Sequence, residues 1–167
     1  MKKDDLLKYI VVPYNIVSAS IAIFFMGQGF WNPEPTFELL NFVLKIIIFF
    51  GFIFLFLTNV SFYLRNNDYY LFSLKYNFWT YVIQSTLLRL LGFGFNIGAG
   101  TVIMVYLWYD QRFSFKLGFQ TWNYNLTIDN NLDDKSIIIL GFNIVSIVIA
   151  VFFYRLIMVE KSKKRSE

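Results

Sequence analysis

The chain contains no cysteine and no histidine. The first absence excludes disulfides, thiolate chemistry and Cys-rich zinc sites. The second excludes haem ligation by imidazole and the usual proton carrier near neutral pH. Charge is also scarce: 16% of the 167 residues are Asp, Glu, Lys or Arg, against about 25% in an ordinary soluble domain. Apolar residues make up 57%, well above the usual figure of about 45–50%. A small soluble domain must still present a polar surface to water, so this balance points to a membrane protein, as do the long apolar blocks. The abundance of Phe, Ile, Asn, Lys and Tyr suggests an A+T-rich coding source, a low-GC bacterium or an organellar genome.

A spanning helix needs about 20 mostly apolar residues to cross about 30 Å of hydrocarbon. Four segments meet this criterion, at about 9–30, 39–63, 90–109 and 137–158. The expected fold is therefore mainly α, a single integral domain built as a four-helix transmembrane bundle. The start MKK and the small residues Ser18-Ala19-Ser20 resemble a secretory leader. Asp4, Asp5, Pro13 and Asn15 interrupt that pattern and the apolar run continues past the cut, so the segment is read as a retained helix.

Orientation follows the distribution of Lys and Arg. With both termini in the cytoplasm (or matrix), eleven of the fifteen basic residues lie inside, leaving Lys45, Arg112, Lys116 and Lys135 outside. This favours the bacterial plasma membrane, with an organellar inner membrane as the alternative. The basic tail 159–167, which includes KSKKRS, suits anionic lipid headgroups rather than nucleic acid.

From Tyr76 to Tyr109 the chain is almost continuously apolar, about 51 Å as a helix at about 1.5 Å per residue. Either residues 68–88 form an amphipathic helix at the interface and the third span starts near Arg89, or a tilted helix breaks at the glycines of LGFGFNIGAGT. The interfacial version keeps Arg89 at the headgroups. Ser73, Asn77, Thr80 and Gln84 make one polar stripe at helical spacing, suited to contact with another helix. Gly94 and Gly98 match a small-x-x-x-small pattern for close helix packing. The same glycines superficially resemble a dinucleotide-binding loop, but the strand and βαβ context that such a loop requires is missing from this reading.

Few residues suggest chemistry. Arg89 and Lys45 are candidates for contact with lipid or an anion, with snorkelling to the headgroups as the simpler role. The acidic stretch TIDNNLDDKS lacks the spacing, glycine and terminal Glu of an EF-hand loop. No carboxylate pair or nucleophile motif stands out, so the expectation is a non-enzyme with no cofactor and no metal.

The stretch RFSFKLGFQTWNYNLTID carries apolar residues at every second position: Phe113, Phe115, Leu117 and Phe119, then Trp122, Tyr124, Leu126 and Ile128. Such alternation indicates half-buried strand. Folding the stretch after Phe119 pairs Phe119 with Trp122 and Phe113 with Ile128, which predicts an extracytoplasmic β-hairpin over about 112–129. Its apolar face needs a surface beneath it: the outer leaflet, the protein's own helix ends or a partner. The functional expectation is an accessory, stabilising or inhibitory (immunity-type) subunit that acts by contact with other membrane subunits. The alternative is a small homo-oligomeric carrier or flippase for an amphiphilic or lipid-linked substrate, its path lined by Asn15, Gln84, Asn96 and Asn143.

Overall fold

A computed structural model describes residues 3–31, 39–63, 69–90, 93–110, 112–130 and 137–166. A short helix α1 (Lys3–Leu6) leads through a π-helical turn (Leu7–Val11) into α2 (Val12–Trp31). Pro13 explains the turn. It has no N–H for the carbonyl four residues back and its ring crowds that carbonyl. The helix widens before it, and the N–H of Val12 bonds the carbonyl of Leu7. Then come α3 (Leu39–Tyr63), α4 (Tyr70–Gln84), β1 (Thr86–Leu90), β2 (Phe93–Asp110), β3 (Arg112–Asn130), β4 (Ile138–Asn143) and α5 (Ile144–Ser166).

This architecture corrects the four-helix transmembrane bundle. Two helical stretches, Leu7–Gln28 and Phe42–Tyr63, are long and apolar enough to cross a membrane. The expected third span is strand β2, and the expected fourth is strand β4 running into α5. A long apolar run does not by its hydropathy separate helix from buried strand. The local chemistry does: four glycines from Gly92 to Gly100 oppose helix, and TVIMVYLWY is rich in β-branched and aromatic residues. At the fourth segment, Asn143 ends the strand and caps α5. Its Oδ1 accepts from the backbone N–H groups of Val145 (3.1 Å) and Ser146 (3.5 Å), and its Nδ2 donates to Ser146 Oγ (2.8 Å). Within the expected interfacial segment, Tyr70–Gln84 is helical as α4 and Thr86–Leu90 is strand β1.

The 112–129 hairpin is also corrected. The alternating stretch is a single strand, β3, antiparallel to β2 from Asp110↔Arg112 to Phe93↔Asn130. The phase slip between Phe119 and Trp122 is a β-bulge. Gly100 pairs with Asn123 and Val102 with Gln120, so Thr101 alone opposes both Thr121 and Trp122. An extra residue in one strand shifts its alternation by one step, which is also what a two-residue turn would do to the pattern. Phe115, Leu117 and Phe119 pair with Leu107, Val105 and Ile103, and beyond the bulge Tyr124 and Leu126 take the register positions of Ala99 and Ile97.

The sheet order is β1-β4-β2-β3, with β1 also paired to β2. β1 therefore bonds β4 along one edge (Thr86↔Phe142 to Arg89↔Ile139) and the first part of β2 along the other (Leu87↔Asn96 to Leu90↔Phe93). β4 bonds the last part of β2, Met104↔Asn143 to Tyr109↔Ile138. These three strands close on themselves. Closure requires β2 to bend between Asn96 and Met104, where Gly100 has φ +93°, a conformation open to glycine at little cost.

Two apolar clusters hold the layers together. Leu7, Val11 and Val12 meet Leu74 and Tyr81 of α4 and Phe153, Leu156 and Ile157 of α5. Ala19, Ala22 and Met26 of α2 meet Phe52 and Leu55 of α3 and Ile97 and Ala99 of β2. Buried residues of α2 recur at 15, 18, 19, 22 and 26, the spacing of one helical face. Its small members, Ser18, Ala19 and Ala22, let the sheet approach the helix closely.

Candidate functional site

Three helices share a buried polar centre. Asn15 (α2), Asn59 (α3) and Asn77 (α4) are each 0% exposed. Asn15 Nδ2 donates to Asn59 Oδ1 and to Asn77 Oδ1, both at 2.9 Å. Asn59 Nδ2 donates to Asn77 Oδ1 (2.9 Å) and to the Leu55 carbonyl (2.8 Å), and Asn77 Nδ2 to the Ser73 carbonyl (2.9 Å). The Tyr81 hydroxyl completes the set by donating to Asn15 Oδ1 at 2.6 Å. α4, at 15 residues, is too short to cross a bilayer. Burial holds the Tyr81 hydroxyl well above the usual phenol range, with the nearby Tyr14 a smaller cause, so it remains a donor. All six polar side-chain atoms of the three amides are engaged, which fixes the mutual rotation of the helices.

The bend of β2 is tied to α2 by a second contact. The Tyr14 hydroxyl accepts from the Thr101 N–H (2.8 Å) and donates to the Thr101 carbonyl (3.4 Å). The backbone groups of the residue opposite the bulge thus bond the helix. Beside them, Ser18 Oγ and the Tyr14 hydroxyl lie against Gly100, leaving no room for a Cβ.

Gln84, the last residue of α4, stands between two cavities. One, of about 120 Å³, lies between α3, α4 and β2 and is lined by Gly51, Phe52, Tyr76 and Ile97 among others. The other, of about 70 Å³, lies inside the closed strands, lined by Asn96, Met104, Tyr106, Gln120 and Asn143. Gln84 borders both and is 4% exposed, and its Oε1 has no hydrogen-bond partner among the described residues. Three of the four residues expected to line a carrier's path, Gln84, Asn96 and Asn143, therefore share one cavity. Asn15 belongs to the separate amide centre.

The other expected site residues are scattered. Gly94 and Gly98 are in β2, opposite Asp129 and Asn125, so the helix-packing role has no helix to act in. Arg89 is the fourth of the five residues of β1, half-buried, with Gly94 and Ile139 on either side. Lys45 is exposed on α3. Phe113, Phe115, Leu117 and Phe119 are exposed by 84, 63, 73 and 67% on the distal half of the β2–β3 ribbon. Trp122, Tyr124, Leu126 and Ile128 occupy the other half of β3, and their side chains lie outside the described residues. On the opposite face of the ribbon, Lys116 Nζ sits 3.9 Å from the centre of the Trp108 ring. The ring of Tyr106 lies between Gly118 and Gly141, either of which would crowd it with a Cβ.

The amide centre was only partly foreshadowed. Asn77 and Gln84 belong to the polar stripe read on α4, and Asn15 stood out as a break in an apolar run, but nothing near Asn59 marks it. Comparison with protein-family models, with curated proteins and with solved structures finds no match.

Proposed function

We propose that this protein resides in a cell membrane and acts by contact, as an accessory, stabilising or inhibitory (immunity-type) subunit of a larger membrane complex. The observation that carries this reading is the row Phe113, Phe115, Leu117 and Phe119, an exposed apolar strip on the β2–β3 ribbon. Large exposed apolar patches mark interaction surfaces. Membrane residence is supported by the two long apolar helical stretches, of which only 33% and 22% is buried, unlike the core helix of a soluble domain. Phe24, Phe25, Ile47, Phe50 and Leu57 all face outward on α2 and α3.

The test is purification from the native host in mild detergent, with the wild type beside a Phe115→Ser/Leu117→Ser variant. The reading expects a second membrane protein to co-elute in fixed ratio with the wild type. The variant should lose it while staying in the membrane fraction. A wild type that elutes with no other protein, or a variant that keeps the partner, overturns it.

A carrier is the second reading, favoured by the convergence of Gln84, Asn96 and Asn143 on one cavity. Its volume, about 70 Å³, is far below the roughly 300 Å³ at the small end of drug-sized ligand pockets. A lipid-linked substrate would need a much wider opening. Unchanged transport in vesicles by a Gln84→Leu variant would remove this cavity from any such path.

A further inference from the structure

The strand register sorts the sheet into two unlike faces. Antiparallel partners share a face. Phe115, Leu117 and Phe119 therefore stand with Leu107, Val105 and Ile103, and β4 adds Ile138 and Phe142 beside Tyr109 and Val105. None of these positions is charged. Besides the row from Phe113 to Phe119, Ile103, Leu107, Ile138 and Phe142 are each more than a third exposed. The other face presents Arg112, Ser114 and Lys116, all exposed, with Lys116 over the Trp108 ring. Nearer the centre it encloses the cavity bordered by Gln84, Asn96 and Asn143. Polar residues thus turn inward and apolar residues outward, the polarity of closed strands in lipid and not in water.

Part of the apolar face is already covered. Ile97 and Ala99, farther back along the same face of β2, pack on Ala19, Ala22 and Met26 of α2 and on Phe52 of α3. Asn15 of α2 meets Asn59 of α3, so the two helices run antiparallel and the sheet sits toward one end of both. Ala19, Ala22 and Met26 lie in the C-terminal half of the candidate span Leu7–Gln28, and Phe52 in the N-terminal half of Phe42–Tyr63. The sheet is therefore placed at one leaflet, away from the middle of the bilayer. At that same end Phe24 and Phe25 of α2 and Ile47 and Phe50 of α3 face outward. Lipid that covers these four side chains also reaches the sheet where the helices stop covering it.

We propose that the uncovered part of this face, from Ile103 to Phe119, is seated on the acyl chains of one leaflet, with Arg112, Ser114 and Lys116 turned to headgroups and water. An element with one apolar and one charged face takes this position at a bilayer surface. Trp108 and Tyr109, near the tip of the ribbon, are residue types that favour the same level. At that depth backbone groups keep headgroups and water within reach, which full burial in hydrocarbon does not allow. The seating rests on the membrane residence proposed above and deepens the contact reading: a partner subunit meets Phe115 and Leu117 from within the leaflet, in place of lipid.

The absence of native cysteine allows single labels in the full-length protein. Leu117→Cys on the apolar face, Ser114→Cys on the charged face and Phe50→Cys on α3 are reconstituted separately into phosphatidylethanolamine–phosphatidylglycerol vesicles. All three native side chains are exposed, so folding is not at stake. Ser114 and Leu117 are close together on one strand, so mixed orientation in the vesicles affects both alike. The thiolate is the reactive form and apolar surroundings suppress it, so an impermeant maleimide should label Leu117→Cys at least about tenfold more slowly than Ser114→Cys. In SDS the two rates should converge. A fluorophore at Leu117→Cys and at Phe50→Cys should be quenched by nitroxide-labelled acyl chains, and one at Ser114→Cys much less. Equal labelling at Ser114→Cys and Leu117→Cys, or equal quenching at both, overturns the seating. Quenching at Phe50→Cys without quenching at Leu117→Cys overturns the seating and leaves membrane residence standing. No quenching at Phe50→Cys overturns both. The expected pattern in a protein that co-elutes with no other subunit leaves the seating standing and removes the accessory function.

Discussion

Asn77 is the residue on which most of the buried polar centre depends. Its Oδ1 accepts from both Asn15 and Asn59. A buried donor left unsatisfied costs about 1–3 kcal/mol, and Asn77→Ala removes one of the two acceptors of both Asn15 Nδ2 and Asn59 Nδ2. We expect a loss of about 2–4 kcal/mol, read as a lower unfolding midpoint in detergent. Tyr81→Phe removes only the hydroxyl on Asn15 and should cost less. Gly100 is the second sensitive residue. An alanine there meets both a left-handed backbone and the hydroxyls of Ser18 and Tyr14. Gly100→Ala should destabilise by at least about 1–3 kcal/mol, whereas Gly27→Ala, in open space on α2, should be neutral or mildly stabilising. These positions differ in legibility. Asn77 is visible from the stripe at 73, 77, 80 and 84. Gly100 reads only as one glycine among four, because the demand on it comes from a helix more than 80 residues earlier in the chain.

Among the elements, α3 (Leu39–Tyr63) covers the segment expected as the second span, about 39–63, because nineteen of its 25 residues are apolar and the run admits few alternatives. The strands were not. β2 is as apolar as a span: Ile97 and Ala99 pack on α2 and α3, while Ile103 and Leu107 farther along the same face are exposed. An apolar run that mixes buried and exposed positions in this way lacks the alternation that would reveal it. β3 keeps its alternation because its distal half is exposed, yet the slip at Gln120-Thr121 is ambiguous in one dimension between bulge and turn. A deletion separates the two. Removing Thr121 takes out the surplus residue opposite Thr101 and makes β3 regular, with its apolar positions in unbroken alternation. We expect yield and unfolding midpoint to be largely retained. A two-residue turn could not lose a residue and close, so a collapse of both would point to the turn.

For the molecule as a whole, the inside–outside assignment built on four spans no longer holds, because two of them are not helical spans. The extracytoplasmic placement of β3 depended on the third. Membrane association rests on the outward apolar faces of α2 and α3. The full chain should therefore stay with the pellet after alkaline carbonate washing and be released only by detergent. Release by carbonate would contradict residence within the bilayer. Of the alternating stretch singled out for its apolar face, Phe113, Phe115, Leu117 and Phe119 are exposed, and the side chains of the other four apolar positions lie outside the described residues. What the alternation alone lacked was the long-range pairing with β2, which no local pattern encodes.

The central claim is that the alternating stretch is one bulged strand laid along β2, and the contact surface depends on it. A cysteine cross-link measures this directly. Val105 and Leu117 are partners across the ribbon, so a chain carrying Val105→Cys and Leu117→Cys should close a cross-link within itself and run as a monomer. A chain carrying Phe115→Cys and Leu126→Cys should give no such monomeric product, because those positions lie far apart along one strand. A monomeric cross-link from the second chain and none from the first would show that the stretch folds back on itself, and would contradict the account.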